Sequence, residues 1–182
     1  DGVIDAFDRT VLGNGNPKFF GGFNNEFKFG PVDLSVLFTY SYGNDIMNRV
    51  NYMYNLPTNW QGGPEDMYKY HWTNQNPQVN NLFWARWADN EYTNLTSYQI
   101  QDGSYLRLKN IMLGYSLPAS LLGKVGFTKL RFYVSAQNLL TFTKYTGYDP
   151  EVNYYNSIIR PGVDYGSYPR SRIFTFGLSA NF

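Results

Sequence analysis

The chain has 182 residues, a length that suits one domain, and its net charge of +1 points to neither nucleic acid nor an acidic surface as a partner. With no cysteine it has no disulfide framework and no thiolate site. Aromatic residues make up 19% of the chain and charged residues only 16%, yet the mean hydropathy is −0.43.

Apolar content in a core-forming soluble domain usually comes from Leu, Ile and Val. Here it comes from rings scattered among Asn, Gly, Ser and Thr, a mixture that suits strands with one apolar and one wet face. No apolar run reaches the roughly 20 residues of a membrane helix. That is neutral for a barrel, whose strands give only a weak alternating signal. The first residue is Asp1 rather than Met and no signal peptide is present, so a processed or partial chain is expected.

The first element with a period of two runs from Lys18 to Phe29, with Phe19, Gly21, Phe23, Asn25, Phe27 and Phe29 in one phase. Lys18, Asn24, Glu26 and Lys28 occupy the other phase. A Gly30-Pro31 turn follows. Asp33 to Tyr42 then alternates, with Leu34, Val36, Phe38, Tyr40 and Tyr42 on one side, so the two segments predict a hairpin with one aromatic face.

From Gly43 to about Gly103 the alternation stops, and no element can be placed in this stretch of Asn, Tyr, Trp and Pro. A loop this long argues against a compact soluble domain. Strand character returns at Ser104 to Leu117 with a mixed pattern. Ile111, Leu113, Tyr115 and Leu117 share one phase, and Leu106, Leu108 and Met112 the other, so the lipid side of this strand stays open.

After a compact connection, Lys129 to Lys144 alternates with Leu130, Phe132, Val134, Ala136, Leu140 and Phe142 in one phase. Tyr145 to Arg170 is a second long loop. Ser171 to Phe182 closes the sequence with Phe174, Phe176, Leu178, Ala180 and Phe182 on one side.

The connections between these five strands run short, long, short, long. Transmembrane barrels do this, with tight periplasmic turns and long outer loops. Five strands cannot close a barrel, since the smallest single-chain ones use about eight. An open sheet in lipid would leave edge N–H and C=O groups unpaired at several kcal/mol each. Most of the barrel is therefore expected before Asp1. The last strand is expected to pair with Lys129 to Lys144 on one side and with the barrel's first strand on the other.

The blocks Gly103-Ser104-Tyr105-Leu106-Arg107-Leu108-Lys109-Asn110-Ile111 and Leu113-Gly114-Tyr115-Ser116-Leu117-Pro118 resemble a segment of the SusC/RagA-type TonB-dependent outer-membrane transporters. Gln137-Asn138-Leu139-Leu140-Thr141, then Tyr145-Thr146-Gly147-Tyr148-Asp149-Pro150-Glu151, then Gly162-Val163-Asp164-Tyr165-Gly166 and the terminal Phe182 continue the pattern in order. Asp8-Arg9, Gly13-Asn14, Asn16-Pro17 and Gly43-Asn44-Asp45 resemble preceding family segments.

The resemblance implies an all-β chain, the C-terminal antiparallel strands of a transmembrane barrel of about 22 strands with a plugged lumen. The plug domain is absent from these 182 residues. The resemblance further implies an outer-membrane importer of oligosaccharides or peptides in a Gram-negative, Bacteroidetes-like cell. That importer works with a SusD-like surface lipoprotein and is energised by the TonB complex through regions absent here. The loops about 43–103 and 145–170 are then extracellular. No enzyme activity, catalytic residue, metal or cofactor is expected.

Candidate contacts are few. Trp60, Trp72, Trp84 and Trp87 all fall in the first long loop, where rings can stack on sugar faces or equally pack the loop or meet a lid. His71 is the sole histidine and cannot build a typical zinc site. Asp149, Glu151, Asn153 and Asp164 offer oxygens, but without the calcium-loop spacing they are expected to lie in a solvated loop. Glu65-Asp66 is read as a loop charge pair, and Gly13-Asn14-Gly15-Asn16 as a turn. Phe174, Phe176, Leu178 and Phe182 form an alternating apolar end that resembles the signal read by the outer-membrane assembly machinery.

Two rivals share much of this pattern. A soluble carbohydrate-binding β-sandwich would turn the same apolar phases into one internal core. A glycoside hydrolase fragment would need a carboxylate pair that does not stand out.

Overall fold

The computed structural model describes residue 7 and residues 9 to 55, 65, 69, 73 to 75, 96 to 123, 126 to 152 and 161 to 182. These divide into two units. One comprises Pro17–Asn44, Gly103–Lys144 and Tyr168–Phe182; the other comprises Asp1–Asn16, Asp45–Asp102 and Tyr145–Ser167.

The first unit is a five-stranded antiparallel meander of β1 (Phe19–Phe29), β2 (Val32–Tyr42), β5 (Tyr105–Ser116), β6 (Lys129–Thr143) and β8 (Ile173–Asn181), hydrogen-bonded in that order. Every strand expected from alternation is present, with ends shifted by two residues or fewer. β8 pairs with β6 as expected, from Gln137 opposite Ile173 to Lys129 opposite Asn181.

Local chemistry sets the turns. Gly30 has φ +57, the positive value that the first residue of a tight two-residue hairpin turn needs. Between β5 and β6 a single helical turn, α2 (Ala119–Leu122), buries Leu122.

β5 explains its own mixed pattern. Leu37 lies opposite Asn110 and Phe38 opposite Leu108, so Lys109 is an extra residue, a β-bulge. β6 answers it. Asn110 lies opposite Gln137 and Leu108 opposite Leu140, and Asn138, in between, takes φ 52 while its side-chain amide donates to the Ser171 carbonyl at 3.0 Å. The bulge reverses the phase, so Leu106 and Leu108 join Ile111, Leu113 and Tyr115 on one face. The expectation that these leucines oppose Ile111 is corrected by that single inserted residue. Met112 stays on the other face, beside Ser35 and Ser135.

The ladders are also staggered. Counted in rows of cross-strand partners, β1–β2 pairing runs from the Tyr42 row to the Val32 row. β5–β6 pairing starts one row later, at the Ser41 row, and ends one row beyond Val32. β6–β8 pairing begins only at the Leu37 row and continues to Lys129–Asn181, three rows beyond Val32. Both ends step in the same sense, which is the shear of a sheet whose strands tilt around a barrel axis.

The second unit holds β3 (Asp45–Asn48), paired antiparallel with β4 (Ile100–Asp102) and parallel with β7 (Val163–Asp164). A helix, α1 (Arg49–Asn55), follows β3, and a 3₁₀ turn at Ser97–Gln99 precedes β4. These fill parts of the stretches where periodicity placed nothing. Ile46, fully buried, sits at the middle of this small sheet. Asn14 and Asp45 bond reciprocally: the Asp45 amide donates to the Asn14 carbonyl at 2.8 Å, and the Asn14 amide donates to Asp45 Oδ2 at 2.8 Å. The segment read as a turn is thus tied to β3, and Asn16 closes the bend by donating its amide to Asn14 Oδ1 at 3.0 Å.

Candidate functional site

The five-stranded sheet has two faces of opposite chemistry. Register places Phe23, Phe27, Leu34, Val36, Phe38, Leu113, Phe132, Val134, Phe174 and Phe176 on one of them. Apart from the bulge residue Lys109, no charged residue falls in this phase of the five strands. Nothing in the sheet's own unit covers it: Phe132 is 47% and Phe176 80% exposed. Its rings pack sideways instead, Phe23 on Phe38 with centroids 5.0 Å apart and Phe19 on Tyr42 at 4.9 Å. Among the described residues only Ile46, Leu108, Leu122, Ala136 and Tyr145 are buried hydrophobics. A water-soluble domain of this size would have to hide far more.

The opposite face carries the charges and amides. Its organising feature is an ion pair across three strands: Arg131 Nε donates to Asp33 Oδ1 at 3.0 Å and Nη2 to Oδ2 at 2.5 Å. The pair crosses β5 above Gly114, where a Cβ would lie 2.6 Å from each Asp33 carboxylate oxygen. Arg131 also stacks over Tyr133, 5.5 Å from the ring centroid, and the Tyr133 ring covers Gly177 on β8. The row Asp33, Gly114, Tyr133, Gly177 thus alternates a large residue with a glycine, which lets long side chains lie flat along the sheet.

In the second unit two of the carboxylates expected to be solvated, Asp149 and Asp164, are buried, and for these the expectation is corrected, while Glu151 is half-buried. Asp164 is 1% exposed. Its Oδ1 accepts the amides of Gly166 and Ser167 at 2.8 and 2.9 Å, and its Oδ2 accepts the Tyr145 hydroxyl at 2.5 Å. Three hydrogen bonds accepted in this way replace hydration, which is why a buried carboxylate is tolerated here. Burial, and then the Asp164 carboxylate, holds the Tyr145 phenol far above the usual tyrosine range, so it stays a hydroxyl donor. Asp149, also buried, accepts the Glu151 amide at 2.9 Å in a turn. No group of three or more His, Asp or Glu among the described residues is arranged to hold a metal ion.

The other sequence candidates separate. Trp60, Trp72, Trp84, Trp87, His71 and Asn153 lie outside the described residues. Glu65 pairs with Lys69 at 2.6 Å, four residues on, while Asp66 lies outside the described residues. Phe174, Phe176 and Leu178 are exposed on the apolar face of β8, and Phe182 packs on Phe127 with centroids 4.8 Å apart. Sequence reading missed the Asp33–Arg131 and Tyr145–Asp164 contacts. No local signal joins residues 98 and 19 positions apart.

No protein-family model matches the chain. Curated relatives do. It is 42% identical to TonB-dependent receptor P3 of Formosa agariphila over 100% of this chain and 18% of that protein. It is 37% identical to TonB-dependent receptor SusC of Bacteroides thetaiotaomicron over 48% of this chain and 8% of that protein. Among solved structures, the RagAB peptide importer in the closed-closed state matches with a TM-score of 0.77 at 25% identity, covering 100% of this chain and 20% of that one. These relatives are receptors and an importer, not enzymes. The chain spans less than a fifth of the length of the curated relatives it matches. Over its whole length, then, the chain is a segment of a TonB-dependent receptor barrel of the SusC and RagA type.

Proposed function

We propose that the protein to which this chain belongs is an active importer of the outer membrane in a Gram-negative, Bacteroidetes-like cell. Its cargo is an oligosaccharide or a peptide, its partner a SusD-like surface lipoprotein, and its energy source the TonB complex, engaged through other parts of the receptor. In this reading residues 1–182 are the C-terminal segment of the barrel, and the plug lies elsewhere in the receptor. The five strands are barrel wall, and the loops about 43–103 and 145–170 are extracellular. Trp60, Trp72, Trp84 and Trp87 are the first places to look for ligand or lid contact.

The observation that carries the reading is the sheared sheet with an uncovered apolar face on one side and an ion-paired polar face on the other. A carbohydrate-binding sandwich needs that apolar face covered by a second sheet. The free edges of β1 and β8 take further strands of the same barrel, because an unpaired edge in lipid is costly. For β8 that neighbour is the barrel's first strand. Phe174, Phe176, Leu178 and Phe182 serve in addition as the assembly signal.

Spin labels on the full receptor in lipid vesicles test the wall. Labels at Phe132 and Phe176 should relax with lipid-soluble oxygen, and labels at Ser135 and Thr175 with a water-soluble nickel chelate. Shielding of positions 132 and 176 from both reagents would place them in a protein core and defeat the reading.

A further inference from the structure

The second unit is assembled from three stretches far apart in sequence: the segment before β1, the connection from β2 to β5 and the connection from β6 to β8. Its strands are short, with four residues in β3, three in β4 and two in β7. Pairs of such strands are marginal on their own in water. What holds them must therefore come from between the stretches.

Four sets of ties run between them. The Met47 amide donates to the Gly162 carbonyl at 2.7 Å, and β3 continues along β7 with Met47 beside Val163 and Asn48 beside Asp164. On β4, Gln101 Oε1 accepts the Thr146 amide at 3.1 Å and the Thr146 hydroxyl at 2.9 Å. Asn14 and Asp45 bond reciprocally. Gly15 lies so close to the second long connection that a Cβ there would be 2.3 Å from the Pro161 carbonyl oxygen, and a Cβ on Gly162 would be 2.5 Å from that of Asp45. The three stretches thus meet backbone to backbone at Gly15, Asp45 and Gly162. Within the second connection, the Tyr145 hydroxyl on Asp164 fixes the residue that sets the end of β7.

We infer that these ties make the two long connections one cooperative device, in which loosening or ordering either connection loosens or orders the other. Proteins open locally in contiguous cooperative units. Here the smallest unit that can open spans two connections, because β7 has β3 for its partner and Asp45 is clasped from both sides. Freeing Asp164 from Tyr145 releases β7, and with it the Gly162 carbonyl that holds Met47. Freeing Asp45 from Asn14 releases the other side of the same junction. Such coupling is reciprocal by thermodynamic necessity. A molecule that orders one connection lowers the entropic cost of ordering the other. The inference concerns the second unit alone and does not depend on what the receptor carries.

Amide hydrogen exchange on the full receptor in detergent micelles tests the coupling, with two variants that each strike one connection. Tyr145→Phe, in the second, should speed exchange at residues 45–48 of the first by about five-fold, the effect of losing one buried hydrogen bond. Asp45→Ala, in the first, should speed exchange at residues 163–167 of the second to a similar degree. Tyr148→Phe, which alters a side chain 72% exposed in the second connection, should leave both stretches unchanged. Acceleration confined to the substituted connection in either variant overturns the inference. So does acceleration that reaches residues 131–136 of β6 equally, which would mark a general loss of stability. A variant that lacks the folded band in heat-modifiable migration is replaced by Thr146→Val, which removes one exposed hydrogen bond to Gln101 and is read at residues 45–48 by the same criteria.

Discussion

At the scale of single residues, position within the alternation decides what a side chain can be. Phe176 and Thr175 are neighbours in β8, yet one shares a face with Val134 and the other with Ser135. A Lys at Phe176 should therefore cost roughly 2–4 kcal/mol if that position lies near the bilayer midplane, while a Lys at Thr175 should be tolerated. Removing Phe182 should lower the amount of assembled receptor and leave transport by the assembled fraction unchanged. Outer-membrane levels of the three variants, compared by heat-modifiable migration, check both points. Equal tolerance at 175 and 176 would sink the facing assignment, and normal assembly without Phe182 would sink its signal role. Sequence reading reached the facing of these residues because it depends only on parity along one strand. It could not reach the ion pair, which depends on Gly114 leaving a gap in the strand between Asp33 and Arg131. Nor could it foresee that Asp164 is buried, since the two amides and the hydroxyl that solvate it are set by turn geometry and by Tyr145 on a distant segment.

At the scale of elements, the strands with unbroken alternation were legible almost to the residue, and β5 was not. One inserted residue, Lys109, is enough to reverse the phase of the residues on one side of it relative to β2. A parity argument applied across such a point assigns half the strand to the wrong face. Deleting Lys109 should remove the bulge, make Leu37–Asn110 and Phe38–Leu108 consecutive pairs and keep Leu106 and Leu108 on the apolar face. The deletion and Lys109→Gln should therefore both assemble, as read by heat-modifiable migration. A marked loss of folded receptor for the deletion alone would show that the bulge does more than absorb one residue. The small sheet of β3, β4 and β7 was invisible for another reason. Its strands span only two to four residues and join segments far apart in sequence, so none is long enough to show a period.

At the scale of the whole molecule, the connections and the stagger agree on one arrangement of tilted strands joined by short turns at one end and long segments at the other. Proteases applied to intact cells should cut within residues 43–103 and 145–170, at least when the proposed surface lipoprotein is removed. Cleavage only after the outer membrane is broken would invert the assigned topology. The two-faced strand has a consequence for how such a protein reaches its site. A wall protein of an outer membrane must first pass through an inner one as an unfolded thread, without being retained there. Because most apolar residues of these strands alternate with polar or small ones, the chain as a whole keeps a mean hydropathy of −0.43. No helix among the described residues is long and apolar enough to cross a membrane. Greasiness that exists only on one side of a formed strand is hidden from machinery that reads the chain as a helix. It becomes available only when neighbouring strands pair and bring the alternate residues into one surface. The polypeptide is in this sense hydrophilic in transit and hydrophobic on arrival, with folding itself as the step that changes its solvent preference.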